Sequence, residues 1–245
     1  MSDPVHQQRF RYYDFLMAGF VAVLLCSNLI GPAKVAEVPL PFAVPGIGVA
    51  LIFGAGNIFF PISYIFGDVL TEVYGYARTR RVIWAGFGAM FFATLMTWVV
   101  LKLPASPQEP FNDVLQPALQ TVFGNTWRIV IASLIAFWIG DFVNAYVMAK
   151  MKLLTAGRHL WTRTIGSTIL GQGVDSLIFY PIAFGGIWES STLFGVLVFN
   201  WFFKVMVEVC FTPLTYLAVG FLKRAEGEDH YDRDTDFTPF SLKAD

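Results

Sequence analysis

The chain has 245 residues, of which 56% are hydrophobic, 17% aromatic and only 14% charged, with a formal net charge of −1. That apolar share exceeds what one water-soluble core can bury, so the chain reads as a polytopic membrane protein with room for a single membrane domain and two short tails. The near-neutral charge excludes a phosphate-backbone partner, which would demand a basic patch, and no nucleic acid is expected.

Six segments meet the requirement of roughly 20 apolar residues for crossing the hydrocarbon core: 12–31, 49–75, 81–102, 128–150, 164–185 and 192–221. The expected fold is all-α, a bundle of six transmembrane helices over 12–224, with a short tail over 1–11 and an acidic tail over 225–245. The second and sixth spans exceed the required length and carry Pro61 and Pro213, so tilt, a kink or a break is expected at each. Segment 32–48 holds Pro32, Pro39, Pro41, Pro45, Gly46 and Gly48, too many breakers for a helix; it reads as an external loop, with a re-entrant turn as the alternative. The tripeptides Phe60-Pro61-Ile62 and Tyr180-Pro181-Ile182 echo each other and leave an inverted repeat of three spans and three spans open. From Ala225 onward, acidic residues crowd a polar stretch with no core of its own, and disorder or loose docking is expected. Cys26 and Cys210 fall inside apolar spans and read as small buried thiols.

Of the 17 lysines and arginines, those at 9–11, 78–81, 150–163 and 223–243 fall on one side of the six spans, leaving Lys34, Lys102 and Arg128 on the other and Lys204 within a span. By the positive-inside rule both termini are cytoplasmic. The first apolar run is too long for a signal-peptide core and is expected to remain as the first helix of a multi-pass inner-membrane protein.

Ten polar or charged side chains interrupt these spans: Asn28, Asp68, Glu72, Asp141, Asn144, Gln172, Asp175, Asn200, Lys204 and Glu208. An ionisable group at mid-membrane depth costs roughly 3 kcal/mol on the insertion scale, so such groups face a bundle interior and mark a substrate or ion path. Asn200, Lys204 and Glu208 recur every four residues along one helical stripe. Lys204 therefore pairs either with Glu208 one turn away or with an acid on another helix, for which Asp175 is the natural candidate. Gln172 and Asp175 share a face of the fifth span beside Gly171 and Gly173, which would let a neighbouring helix or a flat ligand approach the backbone. Asp68 lies within the second span, whereas Glu72, nearer its end, equally suits a solvated pair with Arg78, Arg80 or Arg81. Asp141 and Asn144 occupy the middle of the fourth span, and with Glu208 they read as coupling or structural groups. A carboxylate in a dry site can accept two parallel N–H bonds from a guanine-like edge, while an amide answers a ring carbonyl or nitrogen. The expected partner is thus a small nucleobase-like molecule, alongside the lipid bilayer.

Three stretches carry a resemblance. They are Phe66-Gly67-Asp68-Val69-Leu70-Thr71-Glu72-Val73-Tyr74-Gly75 with Ala77-Arg78, then Gly171-Gln172-Gly173-Val174-Asp175, then Asn200 with Phe203-Lys204 and Glu208 before Pro213 and Tyr216. With the closing Asp234-Thr235-Asp236-Phe237-Thr238-Pro239-Phe240, the chain resembles the queuosine precursor transporter family, also called the vitamin-uptake transporter family. The resemblance implies an inner-membrane importer of 7-deazaguanine bases, the cyano or aminomethyl precursors of queuosine, for tRNA modification. It also implies Asp68, Glu72, Gln172, Asp175, Asn200 and Lys204 as binding residues; the chemistry of these side chains leads us to expect Asp175 or Glu72 to read the guanine edge, Gln172 and Asn200 to orient the base, and Lys204 to neutralise an acid in the empty site.

Other readings stay open beside it. The chain has no phosphate-binding loop, so as the substrate-binding subunit of an ATP-driven vitamin transporter it would need ATPase partners. A proton or ion channel would use the same carboxylates. An intramembrane enzyme is disfavoured: there is no His-Glu-x-x-His, Gly-x-Ser-x-Gly or Cys-x-x-Cys, and His6, His159 and His230 lie outside the spans. No cofactor or metal is expected, and monomer and homo-oligomer are equally compatible with the chain.

Overall fold

Proline and glycine set the element boundaries in a chain that is otherwise almost continuously apolar. The computed structural model describes residues 10–30, 35–44, 48–54, 59–124, 127–241 and 243. The elements run α1 (Tyr13–Ile30), β1 (Val35–Val44), β2 (Gly48–Gly54), α2 (Phe60–Tyr74), α3 (Tyr76–Lys102), α4 (Asn112–Phe123), α5 (Trp127–Leu154), α6 (Leu160–Phe184) and α7 (Ser190–Glu226). Six of the helices fall on the six apolar segments. Residues 76–102, 128–154 and 190–226 are each long and apolar enough to cross a membrane.

The second span departs most from expectation. Its first residues form β2, paired antiparallel with β1, and its helix begins at Phe60 with Pro61 in the first turn, where the missing N–H costs nothing. Segment 32–48, expected as a loop or re-entrant turn, thus contributes a strand of a hairpin whose register slips between Pro39 and Val44. Pro39 and Pro41 have no N–H to give the ladder. At 15 residues, α2 is about 22 Å long at 1.5 Å per residue, shorter than a bilayer core. In contrast, α7 runs through Pro213 without a break. The echoed tripeptides open α2 and close α6, at opposite ends of their helices, which removes their support for an inverted repeat. Helix α4 was not expected; it is amphipathic, and none of its side chains is buried.

Helix α2 packs against α1, α3, α5 and α7, and α5 packs most extensively against α6. Leu70, Val73 and Tyr74 of α2 meet Phe20 and Leu24 of α1, Val82 of α3 and Met148 of α5 in the main core. Large apolar side chains such as Phe92, Leu177, Phe202 and Leu217 point outward, as lipid requires. Cys26 and Cys210, read as buried thiols, are on this outer surface and free, since in lipid an apolar outer face is the solvated one.

One end of the bundle gathers Arg11, the α2–α3 junction, the α5–α6 turn and the end of α7, and the acidic tail is seated there. Glu226 accepts the N–H groups of Arg11 (2.9 Å) and Tyr12 (2.8 Å), which caps α1 from 215 residues away. Asp232 accepts the N–H of Tyr76 with both oxygens (3.0 and 3.1 Å) and caps α3, whose own N-cap, Gly75, has no side chain to do so. Each carboxylate satisfies orphan donors and meets the positive end of a helix dipole. Gly75 sits at φ 85° with His230 against its Cα, so both its conformation and the tail's approach demand glycine. The buried Arg80 guanidinium donates to the carbonyls of Asp236, Thr238 and Lys243. The tail, expected to be disordered or loosely docked, is therefore held by caps and carbonyl bonds that do not require a core of its own.

Candidate functional site

A cavity of about 740 Å³ occupies the opposite end of the bundle. Its mouth is framed by Asn28 and Leu29 late in α1, Trp98 and Lys102 late in α3, and Gln120 and Phe123 of α4; Ser63, Tyr64, Asp141, Gln172, Asp175 and Lys204 line it deeper in. Phe179 and Tyr180 of α6 lie in its wall with their rings 5.1 Å apart and nearly perpendicular.

Lys204 donates to Asp175 Oδ2 at 2.6 Å, joining α7 to α6. The two side chains keep 23% and 20% of their surface accessible, so the pair faces the cavity instead of being sealed in the core. Of the two partners open to Lys204, the structure selects the acid on the other helix. Tyr64 lies beside the ammonium, and Asn200, one turn before Lys204, lines the same wall while its amide N–H holds the Val196 carbonyl at 3.0 Å.

This arrangement depends on the close approach of α5 and α6. A Cβ on Gly140 would lie 2.9 Å from the Asp175 Cβ and 3.2 Å from the Gly171 carbonyl oxygen; one on Gly171 would lie 2.8 Å from the Asn144 Cβ. The two glycines let the backbones meet, as small residues do at helix contacts within lipid. Gly173, on the other side, receives Trp201 of α7, whose indole N–H donates to the Ile169 carbonyl at 3.0 Å. The Gly-x-Gly pair therefore serves neighbouring helices on two sides.

The predicted residues divide into three groups. Gln172, Asp175, Asn200 and Lys204 share the cavity, together with Asp141. Asp68 and Asn144 meet below it, where the Asn144 amide donates to Asp68 Oδ1 at 3.0 Å, and Glu208 is fully buried nearby. Glu72 is at the tail-covered end. It accepts from Arg163 Nε (2.7 Å) and Nη2 (2.8 Å) and from Lys223 Nζ (2.6 Å), with Lys152 Nζ 3.5 Å away. Its expected solvated partners are elsewhere: Arg80 is turned to the tail, Arg78 holds the Tyr74 carbonyl, and Arg81 is exposed. Lys152 and Lys223 also bind Asp229 of the tail, at 2.5 and 2.8 Å. Burial pushes the Asp229 carboxyl up, but these two ammonium groups outweigh it and hold it below the usual carboxylate range.

Arg163, Lys152, Lys223 and Asp229 were missed as members of a site because each was counted as a topology charge or a tail residue. The available signal was Glu72 itself, a carboxylate in an apolar span that requires cations from other helices. No cluster of three or more metal-binding side chains occurs among the described residues.

Comparison with known proteins relates the chain to transporters. The family model described as "Putative vitamin uptake transporter" matches residues 54–218. The chain is 31% identical over 206 residues to the "Probable queuosine precursor transporter" of Bacillus subtilis (strain 168), covering 83% of this chain and 82% of that protein. It is 26% identical over 208 residues to the "Queuosine precursor transporter" of Escherichia coli (strain K12), covering 84% and 82%. No solved structure gives a significant match.

Proposed function

Because the chain belongs to the vitamin uptake transporter family, a family of transporters and not of enzymes, we propose that it imports queuosine precursors across the inner membrane. The substrates in this reading are 7-cyano-7-deazaguanine and 7-aminomethyl-7-deazaguanine, which supply tRNA modification. The observation that carries the reading is the presence of Gln172, Asp175, Asn200 and Lys204 on one cavity of about 740 Å³, within the size range of small-molecule sites.

The base lies against the wall formed by Phe179 and Tyr180, whose rings offer aromatic surface to the cavity. Its amino and ring N–H groups are donors arranged side by side, and the Asp175 carboxylate accepts both in parallel. Lys204 holds that carboxylate in place before the base arrives; the amides of Gln172 and Asn200 answer the ring carbonyl and nitrogens. Six crossings with both termini in the cytoplasm, as the lysine and arginine distribution implies, make the cavity outward-facing. The Glu72 cluster and the tail then close the cytoplasmic side. Glu72 in this scheme holds the gate shut and does not read the base.

Thermal stabilisation of the detergent-purified protein tests the reading, because selective binding raises apparent stability. The panel contains both deazaguanines, queuine, guanine, biotin and riboflavin. A shift confined to the deazaguanines is expected. A shift with a vitamin alone overturns the substrate assignment and favours the vitamin-binding subunit of an ATP-driven transporter.

A further inference from the structure

Glu208 of α7 is fully buried, and neither of its carboxylate oxygens has a hydrogen-bond partner among the described residues. Asp68 of α2 is equally buried, and its Oδ2 is also unpartnered; Asn144 serves only Oδ1. The charged neighbours that act on Asp68 are Glu208, Glu72 and Asp141, all acidic.

The cations of the surrounding helices are committed elsewhere. On α7, Lys204 is bonded to Asp175 of α6; Lys223 is bonded to Glu72, as is Arg163 of α6. Lys152 of α5 lies between Glu72 and the tail. On α3, Arg80 is bonded to tail carbonyls, Arg78 to the Tyr74 carbonyl, Arg81 is exposed, and Lys102 lines the distant mouth of the cavity. Helix α1 carries only Asp14, in its first turn. An unpaired carboxylate in a dry site costs far more than one that has taken a proton.

The cavity approaches Asp68 by way of Asn144, the side chain bonded to Asp68 Oδ1. Asp141, Ser63 and Tyr64 line both the large cavity and a second void of about 10 Å³, which reaches Asn144 and Thr79. That volume is at the limit for one water molecule and is too small for a hydrated metal ion, yet a single water suffices to pass a proton.

We propose that Asp68 and Glu208 form a proton-binding site, loaded from the substrate cavity through Asp141 and the small void, and that base import is coupled to proton entry. The site gains a proton from water, forming an O–H bond on Oδ2 of Asp68 or on Glu208, and returns it to water on the tail side when the Glu72 cluster opens. The coupling rests on the transporter reading above; the proton site itself does not.

Two measurements separate them. Infrared difference spectroscopy of the purified full-length protein, titrated in pH, reads the C=O stretch of a buried protonated carboxyl without any substrate. The expected band is present at neutral pH and diminished in both D68N and E208Q, each a neutral isostere of the protonated acid. A band unchanged in both variants overturns the site.

In proteoliposomes with the membrane potential clamped, wild-type accumulation of 7-cyano-7-deazaguanine is expected to rise about tenfold per unit of inward pH gradient, the ratio for one proton per base. Uptake that ignores the pH gradient, or that follows a sodium gradient instead, overturns the coupling. If no base enters under any gradient while the infrared band behaves as expected, the substrate reading fails and the proton site stands.

Discussion

Two carboxylate–cation groups within the same helix bundle, Glu72 at the tail-covered end and Asp175 at the cavity, are built to opposite specifications. Glu72 has no exposed surface and accepts from Arg163 and Lys223, with Lys152 bridging to Asp229 of the tail. Asp175 has one cation, Lys204, and the pair keeps about a fifth of its surface open to the cavity. A buried network of one carboxylate shared by several cations resists opening, because removing one member strands the others in a dry site. A single pair at a cavity wall can exchange one partner for a ligand at little cost. Charge in an apolar bundle is thus fully committed in the first case and left open to exchange in the second.

The largest effect tests the closed end. Glu72→Ala leaves three cations without their shared carboxylate and should cost roughly 3–5 kcal/mol, the range for breaking a buried pair, read as a loss of unfolding temperature in detergent and of membrane abundance. A cost under about 1 kcal/mol would place Glu72 among exposed pairs and erase the contrast.

Asp175→Asn should instead spare the fold and remove recognition. The loss of a charged acceptor is worth about 1.5–3 kcal/mol of binding, so deazaguanine affinity should fall roughly 10- to 150-fold, measured by ligand-induced stabilisation at matched abundance. Unaltered binding would sink the assignment of Asp175.

Gly140→Ala sharpens the geometry between these extremes. The new methyl meets Asp175 Cβ at 2.9 Å and forces α5 from α6, at about 1–3 kcal/mol by the overpacking range, with base binding weakened alongside stability. Weakened stability with intact binding would uncouple the helix contact from the site.

The smallest effect concerns the tail. Because the Asp229 carboxyl is depressed in the folded protein, its contribution to docking is fully present above the ordinary value of about 3.9 and is lost as pH falls through the lower folded value. Limited proteolysis by an acid-active protease should find the tail protected at pH 5 and cut progressively faster only as pH falls below about 3.9, through the lower folded value. Release already at pH 5 would contradict the sign of the shift.

Much of the helical layout was legible in sequence. Five of the six apolar segments became helices that match them to within a few residues, since apolar length and Gly/Pro punctuation are local properties. The second segment misled because an apolar run satisfies a strand as well as a helix, and only Pro61 marked where the helix starts. Helix α4 escaped because 12 amphipathic residues, with Pro117 inside, give no spanning signal. At the site, depth pointed to Lys204 and Asp175, whereas the cation partners of Glu72 were not legible because they lie 80 to 151 residues away.

By itself the sequence determined that the chain belongs in a bilayer, which runs of residues are helical, and that a handful of polar groups inside those runs must find partners. These follow from the cost of exposing backbone or charge to hydrocarbon, which each segment pays locally. Tertiary structure alone decided which partners they find: that Lys204 takes Asp175 over Glu208, that Arg163 leaves the surface for Glu72, and that acids of the tail cap α1 and α3. Such pairings depend on how helices approach one another, and at Gly140 and Gly171 that approach is set by the absence of a side chain, whose effect appears only when the facing backbone is in place.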